Sequence, residues 1–176
     1  MSLTTTPMEA RRLSKTPLTV GWREWVGLPD LNVDAVKAKI DTGARTSALH
    51  AFRIAPFWRD GVVWVRFELN PIQRSQAMKV ACEARVIDER TVRNSGGGVE
   101  QRYIIKTLLR IGDAAWPIEL ALTNRDQMGF RMLLGRTALK RRALIEPGRS
   151  FLLGAAPARL SHKHRPASRR LRTPHP

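Results

Sequence analysis

Three observations about the sequence predict an all-β fold. Apolar and polar residues alternate with a period of two over several short segments, and clusters of Gly, Pro, Asn and Asp separate these segments. Hydrophobic residues make up 43% of the 176 residues, which is enough for one core. Short strands at regular spacing, with one short helix, are typical of a barrel. We therefore expect a single all-β domain over residues 18–154.

The predicted strands follow one another closely along the chain. The first, residues 19–26, alternates and contains two tryptophans, and Leu28-Pro29-Asp30-Leu31 then makes a turn. The second, residues 36–40, alternates strictly and delivers the chain to Asp41. A short helix is predicted around residues 137–142. The other predicted strands are 61–69, 79–87, 101–111 and 115–122.

The two ends of the chain differ from this middle part. Residues 1–17 lack periodicity, and residues 155–176 combine four prolines with six cations and almost no apolar residues, so both ends are predicted to be disordered. The whole chain has 31 Lys and Arg against 15 Asp and Glu, a formal net charge of +16. Such a charge attracts polyanions, and the basic tail suits nucleic acid. A plain solvated basic surface is the alternative explanation.

The sequence also predicts the compartment. No apolar run approaches the roughly 18 residues that a membrane span needs, and the first fifteen residues lack the apolar block of a signal peptide. The single cysteine, Cys82, cannot form an internal disulfide bond, which suits a reducing environment. We therefore expect a cytoplasmic protein that does not enter membranes.

One motif, Asp41-Thr42-Gly43-Ala44, points to catalysis, because it places a carboxylate on a tight glycine turn at a strand end. The amide of the turn glycine can reach such a carboxylate, and the threonine hydroxyl can hold the turn. About ninety residues later comes Met132-Leu133-Leu134-Gly135-Arg136, the apolar-apolar-Gly pattern that packs behind the catalytic loop in pepsin-like folds. An ordinary structural β-turn is the alternative. The predicted catalytic residues are Asp41, Thr42 and Gly43, supported by Ala44, Leu134 and Gly135.

This chemistry needs a second carboxylate. In aspartic peptidases two carboxylates share one proton, so that one activates water while the other polarises the carbonyl. The later aspartates Asp88, Asp113 and Asp126 are not followed by Ser/Thr-Gly. A retropepsin has one half-site per domain and becomes active as a symmetric homodimer, so we predict that Asp41 meets its symmetry mate across a two-fold axis.

Arginines and a glycine triplet suggest how a substrate is held. Guanidinium groups pair with carboxylates, so arginines that line the cleft would select an acidic peptide, although ordinary surface arginines give the same pattern. The hairpin tip at residues 96–98 suits a flap that closes over substrate, or a plain surface loop. His50 either lines the substrate or packs the loop. The predicted substrate-binding residues are Arg45, His50, Arg93, Ser95, Gly96, Arg102 and Arg136.

Metal and nucleotide chemistry find little support in the sequence. There is no His-Glu-x-x-His motif, and His50 with Cys82 gives at most two ligands, fewer than the three or four that zinc needs. The glycine triplet lacks the Gly-Lys-Ser/Thr ending of a phosphate-binding loop. We therefore predict no metal and no cofactor; a metallohydrolase would need stoichiometric zinc.

Taken together, these segments resemble the RimK/LysX-associated proteins, which are labelled ATP-dependent zinc proteases and regarded as retropepsin-like. The resemblance implies a closed retropepsin-like barrel, a catalytic aspartate at Asp41 and homodimerisation. It also implies association with ATP-grasp ligases that add glutamates to protein C-termini, so that a RimK-type ligase or a ribosomal protein is the expected partner and a glutamate-rich tail the expected substrate. A non-catalytic adaptor that docks on the ribosome or on the ligase is the alternative function. The matching stretches are residues 21–29, 38–51, 93–97, 100–102, 122–125 and 132–136.

Overall fold

Strands dominate the computed structural model of the chain, which describes residues 16–72, 79–93, 97–124, 129–153 and 156. Nearly all of the two ends predicted to be disordered therefore lies outside the described residues. In chain order the elements are β1 (Leu18–Gly21), β2 (Arg23–Leu28), a 3-10 turn (Pro29–Leu31), β3 (Val33–Asp41), β4 (Ser47–His50), β5 (Phe52–Arg59), β6 (Val62–Leu69), β7 (Val80–Arg93), β8 (Val99–Ile111), β9 (Ala114–Thr123), β10 (Met132–Gly135), α1 (Arg136–Leu139) and β11 (Ala143–Glu146).

The sequence predicted an all-β fold, and the structure confirms a mostly-β class with one helical turn among the described residues. The strand expected at residues 19–26 corresponds to β1 and β2, which are separated at Trp22. The helix expected at residues 137–142 is a single turn, Arg136–Leu139. No helix in the described ranges is long and apolar enough to cross a lipid bilayer.

Nine of the described strands form one sheet, in the order β2-β3-β10-β4-β9-β8-β7-β6-β5. An additional pairing between Gly27 of β2 and Arg110 of β8 brings the first strand of this order next to the sixth. A Cβ at Gly27 would lie 2.9 Å from the end of the flexible Arg110 side chain and 3.0 Å from the Asp34 carbonyl oxygen. The sheet is thus strongly curved, and the closed barrel stays a prediction.

The loop that carries Asp41 owes its position to two parallel pairings. Strand β10 lies between β3 and β4, parallel to β3 and antiparallel to β4, so the two arms of the loop flank it. Strand β4 in turn runs parallel to β9, with Ser47 opposite Leu120. Because parallel neighbours need long connections, residues far apart in sequence meet here.

The core fills the inside of this curved sheet. In β8 the inward positions Ile105, Thr107, Leu109 and Ile111 are buried, whereas Lys106 between them is exposed. Burying each of the three apolar side chains among these, Ile105, Leu109 and Ile111, stabilises the fold by about 2 kcal/mol. Strand β10 contributes Met132 and Leu134, both fully buried, and so anchors the end of the core nearest the Asp41 loop.

A second, two-stranded sheet lies beside the first, where β1 and β11 pair in parallel. The chain that follows β11 is held by Glu24, whose fully buried carboxylate accepts N–H groups from Gly21, Leu152 and Leu153 at 2.7, 2.8 and 3.4 Å. These donors replace the water that the carboxylate has lost. The end of the described chain is thereby fastened to β2.

Candidate active site

Asp41 is the last residue of β3, and Gly135 is the last residue of β10 directly beside it in the parallel register. One position earlier, Leu134 lies beside Ile40, and both are buried. The Asp41 side chain is partly exposed at the strand end. The structure thus brings the two segments singled out in the sequence into contact, with Leu134 and Gly135 directly behind the turn.

Gly135 lies too close to the loop for any side chain. A Cβ at this position would be 2.7 Å from the carbonyl carbon of Thr46 and 2.9 Å from both the Arg45 carbonyl oxygen and the Ser47 nitrogen. Real Cβ atoms do not approach backbone atoms this closely, so only glycine permits this packing. Steric crowding by the loop therefore explains why the apolar-apolar-Gly pattern ends in glycine.

Ser47 is a residue of this site that the sequence analysis did not identify. Its side chain is fully buried, and its hydroxyl oxygen accepts the N–H of Gly135 at 3.0 Å. This bond fixes β10 against the start of β4. The signals available in the sequence were a hydroxyl directly before the apolar pair Ala48-Leu49 and the position of Ser47 inside the matching stretch 38–51.

Ser47→Ala is expected to destabilise the protein by about 1–3 kcal/mol, because the buried Gly135 N–H loses its acceptor. The expected readout is a lower midpoint of denaturant unfolding with an unchanged slope. Thr91→Ala is the matched control, since the Thr91 hydroxyl bonds to Gln101 on an exposed surface. Equal stability of the two variants would contradict the role given to Ser47.

The Asp41 carboxylate is held by the backbone of its own turn. The Ala44 N–H lies 3.2 Å from both Oδ1 and the main-chain oxygen of Asp41. The amide that reaches the carboxylate is thus that of Ala44, one residue beyond the Gly43 amide expected from the sequence. Gly43 still matters sterically, since a Cβ there would lie 3.3 Å from Oδ1. Thr42 is exposed in the turn.

Arg136 braces the turn from the side of α1. Its guanidinium donates to the carbonyl oxygens of Gly43 and Thr42 at 3.0 and 3.4 Å, and its main-chain N–H donates to the Ala44 carbonyl at 2.9 Å. Thr137 adds its hydroxyl and amide to the Arg45 carbonyl. Arg136 was expected to bind substrate, but in this structure its donors hold the turn.

Two other predicted substrate-binding residues lie away from Asp41. His50 is the last residue of β4, about 13 Å along the sheet from the level of Asp41, and is buried with its ring 4.4 Å from that of Phe52. Arg102 is buried and forms an ion pair with Glu100 at 2.9 Å. This placement does not favour a role for either in binding substrate, and their assignment stays a prediction.

The remaining predicted substrate-binding residues lie in different parts of the chain, and the structure describes two of them. Arg45 is exposed in the loop that follows Asp41, and Arg93 is exposed at the end of β7. Ser95 and Gly96, at the hairpin tip, lie outside the described residues. The nearby Gly97 has a φ of +82°, the left-handed conformation that glycine adopts readily.

Metal ligands do not gather in the part of the chain that the structure describes, where no group of three or more His, Cys, Asp or Glu residues could hold an ion. Burial raises the pKa of the Cys82 thiol to about 11, so the thiol stays protonated at neutral pH. It lies 3.5 Å from the Leu31 carbonyl oxygen, as expected for a buried structural cysteine. The described residues therefore do not fit a zinc centre.

A mostly-β fold in which an Asp-Thr-Gly turn is backed by an apolar-apolar-Gly strand defines a retropepsin-like class of protein. The chain belongs to the RimB-like family, whose model, described as "Retropepsin-like aspartic endopeptidase RimB", matches residues 19–155. This match covers nearly all of the described part of the chain and includes both segments of the site.

Curated relatives and solved structures are also similar to the chain. A protein of Shewanella halifaxensis named "Probable alpha-L-glutamate ligase" is 49% identical over 142 residues, and one of the same name from Parasynechococcus marenigrum is 49% identical over 137. These stretches cover 81% and 78% of this chain but only 31% and 29% of the relatives. The chain thus spans less than a third of their length.

One similar solved structure is that of protein Lpg0085 of Legionella pneumophila, described as of unknown function (DUF785). It matches 79% of this chain and all of its own chain with a TM-score of 0.67 and 24% identity. At this identity the similarity shows the fold alone.

Proposed function

We propose that the chain is a homodimeric aspartic endopeptidase in which Asp41 and its symmetry mate activate water. The observation that carries this proposal is the position of Asp41, whose partly exposed carboxylate stands on a turn that Gly135 supports from behind. A closed retropepsin-like barrel is part of the proposal and is supported by the pairing of Gly27 with Arg110.

The proposed chemistry uses one proton shared by the two carboxylates. The ionised carboxylate removes a proton from water, whose oxygen attacks the scissile carbonyl carbon, while the protonated carboxyl donates to the carbonyl oxygen. Proton transfer to the amide nitrogen then releases the amine product. The Ala44 amide orients Asp41, and the Arg136 bonds to the carbonyls of Thr42 and Gly43 keep the turn rigid for this step.

The face next to Asp41 has features that suit a second copy of the chain. Strand β11 exposes Leu144 and Ile145 with 61% and 36% of their surface accessible. Ile145 also lines a surface depression together with Thr42 and Arg45. Apolar side chains exposed beside the turn favour burial in a contact, and a two-fold contact at this place would bring two Asp41 turns together.

The charge around this depression suits an acidic peptide. Its lining residues include four cations and no carboxylate. One of the four, Arg136, donates only to neutral carbonyl oxygens of the turn, so it keeps its positive charge and adds to the attraction for a glutamate-rich chain. The four cations are Arg45, Arg136, Lys140 and Arg141.

If catalysis needs a dimer, an inactive variant should inhibit the wild-type chain by forming inactive heterodimers with it. Asp41→Asn mixed at threefold excess with wild-type chain should reduce cleavage of a glutamate-tailed peptide to roughly a quarter, because each wild-type chain then meets another in roughly one pairing of four. The same excess of Asp113→Asn, a change on an exposed turn, should leave activity undiminished. If the Asp41→Asn mixture, after subunit exchange, cleaved as much peptide as the same amount of wild-type chain alone, a shared site would be excluded.

A second function is favoured by one observation. The curated relatives are named as glutamate ligases, and the matched region is less than a third of their length. A module that docks on such a ligase, or on a ribosome, without cleaving peptide would fit this architecture. Such an adaptor would bind its partner equally well with Asp41→Asn, and the wild-type chain would not cleave the peptide.

A further inference from the structure

The hairpin of β7 and β8 contains a bend close to the Asp41 loop. Val86 pairs with Ile105, but Asp88 pairs with the adjacent Ile104, so Ile87 is an extra residue on β7. Such a bulge bends the strand and increases its twist. The outer part of the hairpin, residues 88–93 and 99–104, therefore takes a different direction from the part that belongs to the sheet.

Arg90, two residues beyond Asp88, joins this bent arm to the rest of the site. Its guanidinium uses all three nitrogens: Nε donates to Asp88 Oδ2 at 2.6 Å, Nη2 to Glu119 Oε2 at 2.8 Å and Nη1 to Thr46 Oγ1 at 3.3 Å. Thr46 belongs to the loop between Asp41 and β4, and its carbonyl carbon is the atom closest to the Gly135 position. One side chain thus links the hairpin arm, strand β9 and the Asp41 loop.

The contact between Arg90 and Glu119 shows the direction in which the hairpin arm bends. Arg90 pairs with Arg102, which lies near the Thr123 end of β9, yet its guanidinium reaches Glu119 several residues back towards the level of Asp41. The bent arm therefore leans towards the Asp41 loop. The carboxylates of Glu119 and Asp88 hold the pKa of Arg90 above its ordinary value, so the guanidinium that makes these contacts stays positively charged.

We propose that Arg90 is a positioning residue that fixes the base of the hairpin over the Asp41 turn. This inference rests on the proposed peptidase function, in which a peptide substrate binds at Asp41. With the base of the hairpin held at Thr46 and Glu119, the described arms of the hairpin and the Asp41 loop keep the relative position in which they bind that peptide. Lysine can replace this function only in part, because its ammonium group cannot reach three acceptors in the fixed fork of a guanidinium.

The test compares Arg90→Ala and Arg90→Lys with Arg66→Ala in the full chain. Arg66 is a matched control, because it forms two bonds to Glu83 on the same sheet but none to the Asp41 loop. For a glutamate-tailed peptide we expect Arg90→Ala to raise KM about tenfold and to change kcat by no more than about twofold, with Arg90→Lys between it and wild type. Arg66→Ala should keep the wild-type KM.

Hydrogen exchange supplies a readout that does not require cleavage. Amides of residues 99–104 and 44–47 should exchange about tenfold faster in Arg90→Ala than in wild type, and at the wild-type rate in Arg66→Ala. Wild-type exchange in both segments of Arg90→Ala, or the same acceleration in Arg66→Ala, would overturn the proposal. If the wild-type chain cleaves nothing, the proposed function fails, whereas the exchange rates still decide the role of Arg90.

Discussion

Asp41→Asn is expected to abolish cleavage of a glutamate-tailed peptide while the protein stays folded. Asparagine has the shape of aspartate but cannot ionise, so a pair of such residues can neither hold nor pass the shared proton. The Asn oxygen can still accept the Ala44 N–H, which preserves the turn. We expect kcat/KM to fall by about 10⁴-fold and the unfolding midpoint to stay close to that of wild type.

The control for this prediction is Asp113→Asn, which removes a carboxylate from the exposed turn between β8 and β9. It should cleave the peptide as well as wild type does. Both variants should give the same circular dichroism and sedimentation behaviour as the parent chain. Full activity of purified Asp41→Asn would end the peptidase assignment and favour a docking module.

The strands that the sequence predicted are those with a clean alternating pattern. Strands β6 and β8 each turn one face to the core, so period-two patterning located them. Strand β4 was missed because all four of its residues are buried and no alternation is visible. Strand β5 was missed for the opposite reason, since it is largely exposed at the sheet edge and contains Pro56.

The site was predictable as two segments but not in its details. The turn at Asp41 and the segment ending at Gly135 could be found from their residue types, and the expectation that they pack together came from pepsin-like folds. The hydrogen bonds that hold them could not be found in this way. Which atoms Ser47 and Arg136 contact depends on β10 lying between β3 and β4, a long-range pairing that periodicity does not encode.

His50 and Arg136 show that the sequence also left the positions of polar side chains around the site undetermined. Both belong to the segments that carry the family resemblance, and both were expected to bind substrate. The structure buries His50 at the far end of β4 and uses Arg136 to hold backbone carbonyls of the turn. A polar residue close to a motif in sequence can therefore hold the backbone of the motif or lie remote from it, and the sequence alone does not distinguish the two.

Gly135→Ala is expected to cost about 2–4 kcal/mol of folding free energy and most of the activity, because its Cβ would lie 2.7 Å from the Thr46 carbonyl carbon. The nearest atoms are all backbone atoms of residues 45–47, so the clash is relieved only by moving β10 or the Asp41 loop. Either shift displaces the Asp41 carboxylate from its partner across the proposed two-fold axis. Denaturant unfolding and peptide cleavage measure the two effects separately.

Gly129→Ala is the matched control, since a Cβ at that glycine meets no atom within 4 Å. It should be as stable and as active as wild type, or slightly more stable, because alanine restricts the unfolded chain. If Gly135→Ala behaved like Gly129→Ala, the close contact between β10 and the loop would not exist in solution. The steric reason given for the glycine behind Asp41 would then be wrong, and with it the argument that a rigid backing positions the carboxylate.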